Sequence, residues 1–597
     1  MTFVETLKKA FQFYQAGDYH SAASCCDAAA REIARPSPDV LRLTAMIHRK
    51  TQNFVAAEQD IQKSLQIGGP NHEGLNVLGL IYLNESRFGE AAAAFTRALQ
   101  VRPGYAPALV NLARAWTQSG QASQAIQLLR SMIDKAMVSA EIWTVFASAL
   151  KEAGRDEEQA EALKNALKLD GKYVPAIRGL AHVYLQSARS EMVLELVQDS
   201  AGDAELEFLR LQALFDSQRT EEALDIGRKI LRTTPEHVRA LRSCAQMLWM
   251  TDRGAEIGVE FEQALSRSQN AETVYHNYMK TLIQMQDFDA AIEVGTRALK
   301  QYGRTPQIAY LMADALIESG DGERALDAAE FAASSAPQSP ALACNWARAL
   351  LMTERGSEAL GVVEQARKLV PDNQFWIAIE ATALRQIADP AYSDLMNYEA
   401  FARPYFLDAP NGYSSMNDLN ADLLRRLLEL HQFAQCPLDQ SLRLGSQTSM
   451  DIKSSDEPVF KAFFEAIKDP IADYISAMKT DQAHPLLSRK QSAFQLSGAW
   501  SVKLGPAGNH VSHVHPEGWI SSAYYVDVPE QVKDSKTREG WLKFGEPPFK
   551  VPGAETAQHY IEPAAGCLAL FPSYMWHGTV PISKGVRVTI AYDVVPR

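Results

Sequence analysis

The chain has 597 residues, 46% hydrophobic and 22% charged, with 59 Lys+Arg against 72 Asp+Glu for a formal net charge of -13. That length allows about four domains' worth of core, which excludes disorder as the main state, and the acid excess excludes a general nucleic-acid or anionic-membrane binder, since both need a basic footprint. No apolar run reaches the roughly 18 residues that span a bilayer, and the opening MTFVETLKKAFQFYQAGDY lacks the order of a secretory signal, so a soluble, cytoplasmic protein is expected.

Residues 1–375 carry a 34-residue period. In the clearest unit, from His72 to Tyr105, Leu75, Leu78, Gly79, Tyr82, Ala91, Phe95, Ala98 and Pro103 fill the slots of the tetratricopeptide pattern. The next frames give Leu112, Ala113, Trp116 and Ala125, then Trp143, Phe146, Ala147 and Ala166. Frames from Pro306 and Pro340 repeat it, and weaker or length-altered units cover 1–71 and 174–305. Each unit is expected to be an antiparallel helix pair, with small residues where the helices approach and large ones filling between units, so that about ten units stack into an all-α superhelix. Such an array is expected to bind a protein or peptide on its concave face. Asn111, Asn277 and Asn345 share one slot on the first helix of their frames, where side-chain amides could bond an extended backbone.

The period breaks at Asp389-Pro390. Residues 376–480 are expected to connect the repeats to the C-terminal region and to support it, with amphipathic helices over 417–431 and 457–478, the second interrupted at Pro470. The stretch 436–449 between them has no helical stripe.

From about residue 481 the texture changes to short alternating apolar runs between Gly, Pro and Asn, and strands are expected over 499–504, 509–514, 521–528, 541–544, 566–571 and 586–594. Antiparallel strands at this spacing predict a jelly roll or small barrel over 481–597. Six of the 13 histidines lie from His484 onward, and none of the six cysteines forms a C-x-x-C pair, so imidazoles are the candidate ligands. In His510-Val511-Ser512-His513-Val514-His515, a period of two puts His513 and His515 on one face. His577 ends the run LFPSYMWH. In the returning strand VRVTIAYDV, Arg587, Thr589 and Ala591 alternate with an apolar set, and the polar face is expected to line the interior. Neutral imidazoles with open positions suit Fe(II), Zn, Ni or Cu, and an interior arginine favours a carboxylate co-substrate held by two hydrogen bonds.

The segments WSVKLGPAGNHVSHVHPEGWISSAYYVDVP, PAAGCLALFPSYMWHGTVP and GVRVTIAYD, with PLDQSLRLGSQT upstream, resemble a bacterial subfamily of Fe(II)/2-oxoglutarate-dependent oxygenases fused behind tetratricopeptide repeats. The resemblance covers roughly 395–597, with the repeats over 1–375. It implies a double-stranded β-helix with flanking helices, Fe(II) held by His513 and His577, 2-oxoglutarate held through its distal carboxylate by Arg587, and dioxygen as the second co-substrate. It further implies a dioxygenase that hydroxylates a protein or peptide recruited by the repeats. Where the superfamily usually has a carboxylate two residues after the first histidine, this chain has His515; either His515 is the third ligand or the register slips and Glu517 serves. Of the adjacent Tyr524 and Tyr525 one must face inward, and Tyr525 is taken as a donor to the co-substrate. Two other readings stay open: a non-catalytic scaffold with a metal-stabilised barrel, and a cupin-like three-histidine oxygenase that does not use 2-oxoglutarate.

Overall fold

The computed structural model describes residues 2–33, 35–187, 189–198, 202–431, 436–438, 440–448 and 451–597. It divides into two compact units, Met1–Arg219 and Thr220–Arg597. Within the first, antiparallel helix pairs such as His72–Asn84 with Phe88–Val101 repeat in register. The small residues act as expected, since a Cβ on Gly79 would stand 2.5 Å from the ring of Phe95 in the paired helix.

Among the described residues, most of the turns inside the pairs carry one residue of positive φ, and these residues mark the repeat better than the apolar slots do. Gln52, Ser86, Gly120 and Gly154 lie 34 residues apart, as do Gln218, Asp252, Gln286, Gly320, Glu354 and Ala388. Most are not glycine, so the packed pair imposes a left-handed turn that the side chain disfavours. Between Gly154 and Gln218 the count falls four residues short of two periods. That shortfall coincides with a helix of only 7 residues, Ser190–Leu196, and shifts the phase of the frames that follow it.

The array's amides are engaged internally. Asn111 Nδ2 donates to Asn76 Oδ1 at 3.0 Å, Asn277 Nδ2 to the Thr273 carbonyl at 2.8 Å, and Asn345 Nδ2 to the Tyr310 carbonyl at 3.1 Å. All three asparagines are buried. These bonds and the burial draw inward the amides that the sequence offered to a peptide.

The second unit ends its repeats with the helix Gln374–Gln386 and continues into a jelly roll with flanking helices. The strands are β1 (Arg403–Phe406), β2 (Leu442–Gln447), β3 (Phe494–His510), β4 (Ile520–Asp527), β5 (Leu542–Phe544), β6 (His559–Ile561), β7 (Cys567–Pro572), β8 (His577–Thr579) and β9 (Arg587–Pro596). One antiparallel sheet runs β1-β7-β4-β9-β3-β2, the other β6-β5-β8. Two strands of the large sheet therefore come from residues read in the sequence as connector. The stretch 509–514, expected as strand, is irregular beyond His510 and there makes a single isolated bridge, His513 with His577.

The large sheet is covered on one face by helices. Phe460 and Phe463 of Pro458–Ala466 are wholly buried, and Phe463 packs at an angle against Tyr524 and edge-on against Tyr592, with ring centroids at 4.9 and 6.5 Å. Each such ring contributes about 1.5–3 kcal/mol by leaving water. Val588, Ile590, Tyr592 and Val594 of β9 face this core, so the opposite face of β9 is left to the site.

A buried polar link joins the helix Met416–Leu430 to the sheet: His431 lies 3.1 Å from Ser501 Oγ and 2.9 Å from Ser446 Oγ. Burial, with help from the Lys503 cation, pushes the His431 imidazolium down to about 4. The unfolded chain then binds a proton that the folded one refuses, so stability falls as pH drops from about 6.5 to 4, by about 3 kcal/mol for this group. Urea unfolding at pH 7 and pH 5 should show the loss, and His431→Gln should reduce the difference between the two.

Candidate metal centre

Period-two alternation and strand register fix what faces the interior. Tyr525 lies opposite Thr589 and Ser521 opposite Asp593 across β4 and β9, while Trp500, Val502 and Leu504 of β3 lie opposite Ala591, Thr589 and Arg587. Opposed residues share a face. Arg587, Thr589 and Ala591 therefore present one row toward the histidines, as the alternation of VRVTIAYDV predicted, and Asp593 extends it.

The rings of His513, His515 and His577 gather on this face. Their centroids lie 5.2 Å (513–515), 4.3 Å (513–577) and 5.1 Å (515–577) apart. One ring nitrogen of each lies within 4.8 Å of the others, which makes them the metal-capable cluster among the described residues. His513 and His577 are tied through their backbones, each N–H donating to the other's carbonyl at 2.9 and 3.1 Å. Glycine after His577 permits this approach, since a Cβ on Gly578 would stand 2.8 Å from the His510 carbonyl oxygen. His515 is held differently, its N–H bonded to the Ser573 carbonyl before the chain turns through Pro516 to Gly518. Glu517 stands outside the cluster, exposed, taking a hydrogen bond from Asn373 Nδ2 at 3.4 Å.

Each imidazole has its Nδ1 engaged by an oxygen that can only accept. His513 Nδ1 lies 2.9 Å from the Val511 carbonyl, His577 Nδ1 2.9 Å from the Met575 carbonyl, and His515 Nδ1 2.6 Å from Asp593 Oδ1. The proton therefore sits on Nδ1, and Nε2 keeps a free lone pair in all three rings. Burial and the neighbouring His515 push His513 down to about 3, and burial drives His577 well below its ordinary value. Both are neutral, as ligands must be.

Two unsatisfied polar atoms lie in the same interior. Arg587 is 2% exposed; one of its terminal nitrogens donates to the Gly540 carbonyl at 2.6 Å, while Nε has no partner. Its guanidinium carbon lies 5.7 Å from the ring centroid of Tyr525, whose buried hydroxyl also has no partner. Buried polar atoms are nearly always paired, so these mark a place for a polar ligand. Tyr524 instead donates to Asn420 Oδ1 at 2.7 Å, on the helix-covered face. Of the pair, Tyr525 is the one that faces the site. His510, whose Nδ1 lies 3.1 Å from Ser441 Oγ, stacks beside His513 outside the cluster.

Asp593 and the closing repeat helix contact the site residues in ways that sequence reasoning misses. That helix, Gln374–Gln386, and the turn before it brace the segments bearing two of the histidines. Gln374 N–H donates to the Pro516 carbonyl at 2.9 Å, and Trp576 Nε1 donates to Thr382 Oγ1 at 2.9 Å. Arg385 reaches the Gly545 carbonyl at 2.7 Å. Helical periodicity signals the helix but not its partners, which lie more than a hundred residues along the chain.

Comparison with known proteins finds matches to both parts of the chain. Residues 498–593 match the family described as "Putative 2OG-Fe(II) oxygenase", and residues 82–149, 280–340 and 310–374 match tetratricopeptide repeat families. A curated relative from Hordeum vulgare, "Probable UDP-N-acetylglucosamine--peptide N-acetylglucosaminyltransferase SPINDLY", is 29% identical over 170 residues, covering 27% of this chain. The chain spans 18% of the length of that relative. Among solved structures, a thermophilic TPR protein of Thermus thermophilus is 20% identical, with a TM-score of 0.29, over 31% of this chain and 100% of its own. Yeast Tom70 is 14% identical, with a TM-score of 0.34, over 66% of this chain and 99% of its own. Tetratricopeptide repeats generally mediate protein–protein interaction, and among the described residues no helix is long and apolar enough to cross a membrane. The chain is a fusion of tetratricopeptide repeats with a C-terminal domain of the 2OG-Fe(II) oxygenase family.

Proposed function

We propose that the protein is an Fe(II)- and 2-oxoglutarate-dependent dioxygenase that hydroxylates a protein or peptide delivered by its repeats. The observation that carries this reading is the conjunction of three imidazoles, one ring nitrogen of each within 4.8 Å of the others, with a buried arginine Nε and tyrosine hydroxyl that have no hydrogen-bond partner. In this reading His513, His515 and His577 hold Fe(II), Arg587 binds the distal carboxylate of 2-oxoglutarate, and Tyr525 donates to it. Iron so bound would supply dioxygen activation coupled to oxidative decarboxylation of 2-oxoglutarate.

The chain's own part is positioning and exclusion. Phe571, its ring 4.6 Å from that of His577, walls one side, while Trp500, 5.9 Å from His515, stands half-buried on the other. The guanidinium fixes the register of a dicarboxylate by charge and direction. On this reading residues 376–480 support a core at 481–597, with β1 and β2 contributed by the support region, and the repeats over 1–375 present the substrate. A cytoplasmic location belongs to the same proposal, matched to the cell's supply of 2-oxoglutarate.

Anaerobic addition of Fe(II) and then 2-oxoglutarate should raise a metal-to-ligand charge-transfer band, and admitting air should release succinate. Fe(II) binding without a band on 2-oxoglutarate addition would favour a three-histidine oxygenase of another kind. Metal binding with no succinate in the presence of captured partners would favour a scaffold.

A further inference from the structure

The three histidines differ in what stands behind them. His513 and His577 each donate through Nδ1 to a neutral backbone carbonyl, whereas His515 donates to a carboxylate, Asp593, at 2.6 Å. His515 stands two residues after His513, where the resembled superfamily usually has a carboxylate. The side chains of His515 and Asp593 are 15% and 13% exposed, so the pair is largely withdrawn from water. Ser521 Oγ donates to the same carboxylate oxygen at 2.7 Å and lies 2.9 Å from Ser573 Oγ, which holds the carboxylate in place from β4. Among the described residues no lysine or arginine pairs with Asp593, whose charge-bearing contact is the hydrogen bond from His515.

From this we infer that Asp593 is a positioning residue that completes the third ligand position: acting through His515, it supplies the negative charge that a carboxylate ligand would have placed on the ion. The inference rests on the reading of His513, His515 and His577 as ligands. Its physical basis is that a charged acceptor on the far nitrogen of a ligating imidazole fixes the tautomer and raises the ligand's basicity more than a carbonyl does. Three neutral imidazoles alone would leave a divalent ion with its full charge; Asp593 lowers that charge from one bond outside the coordination sphere. Its place on β9, on the same row as Arg587, sets the charge of the ion and the anchor of a dicarboxylate from one strand.

The test uses the full-length protein, free of metal, titrated anaerobically with Co(II), whose visible bands report the ligand field. Asp593→Asn keeps an acceptor oxygen and the side-chain shape but removes the charge, so it separates charge from geometry. It should weaken Co(II) binding by about 10- to 100-fold, shift the visible bands, and leave the thermal unfolding midpoint of the metal-free protein unchanged. Asp593→Glu should recover part of the affinity. If Asp593→Asn binds Co(II) within twofold of wild type with the same spectrum while His515→Ala loses binding, the inference is wrong and the ligand reading stands. If His515→Ala binds as wild type does, the ligand reading fails and the inference with it.

Discussion

Replacing His515 by alanine should abolish tight metal binding, whereas Glu517→Ala should leave it unchanged. The two positions are two residues apart in an irregular segment, and the turn between them separates them. The His515 ring lies 5.2 and 5.1 Å from those of His513 and His577, and its Nδ1 is held by Asp593. Glu517 lies beyond Pro516, exposed and turned toward Asn373. Loss of an outer-shell partner of a metal ligand costs about 10–100-fold in affinity, so loss of a ligand itself should cost at least about 100-fold. An exposed Glu→Ala change is usually within about 0.5 kcal/mol of neutral. Anaerobic Fe(II) titration, followed by 2-oxoglutarate-dependent succinate release in air, measures both. His515→Ala should show neither, with circular dichroism of the metal-free protein unchanged; Glu517→Ala should match wild type in both. The reverse pattern would mean that the chain past His515 rearranges on binding and that the carboxylate register is the functional one.

Much of this was legible in the sequence because it rests on periodicity. The 34-residue frame forecast helix pairs, and alternation along VRVTIAYDV forecast Arg587 and Thr589 on the inner face. The failures share a different cause. β1 and β2 are short, partly exposed strands whose pairing depends on β7 and β3, more than 50 residues away in sequence, so no local pattern announces them. The stretch 509–514 alternates like a strand, but Pro516 and Gly518 turn the chain, and His515 reaches the cluster from an irregular segment. Asn111, Asn277 and Asn345 look like surface donors because the stacking that buries them lies outside their own frames. Asp593 carries no motif, because its role is created by a histidine 78 residues earlier, brought to it by strand register.

That register also makes Arg587 the residue whose loss should most affect the co-substrate while sparing the metal. Arg587→Met should raise the KM for 2-oxoglutarate by about 100-fold or more, with Fe(II) affinity close to wild type. The guanidinium is 2% exposed, and burial pulls its pKa below the ordinary arginine value. Among the described residues no carboxylate pairs with it, so the folded protein carries a buried cation with one backbone acceptor, the Gly540 carbonyl. Removing one partner of a buried ion pair costs about 3–5 kcal/mol, which sets the expected loss on the side of the bound dicarboxylate. For the ligand-free protein the sign reverses. Methionine removes an uncompensated buried charge at the expense of one hydrogen bond, so the thermal midpoint should hold or rise while 2-oxoglutarate binding collapses. Arg587→Lys keeps the charge but not the two-pronged geometry and should fall between the two. Thermal unfolding with and without 2-oxoglutarate, beside steady-state succinate formation, reads these outcomes. A Met variant that keeps its KM would show that the buried cation serves the fold and that the co-substrate is anchored elsewhere.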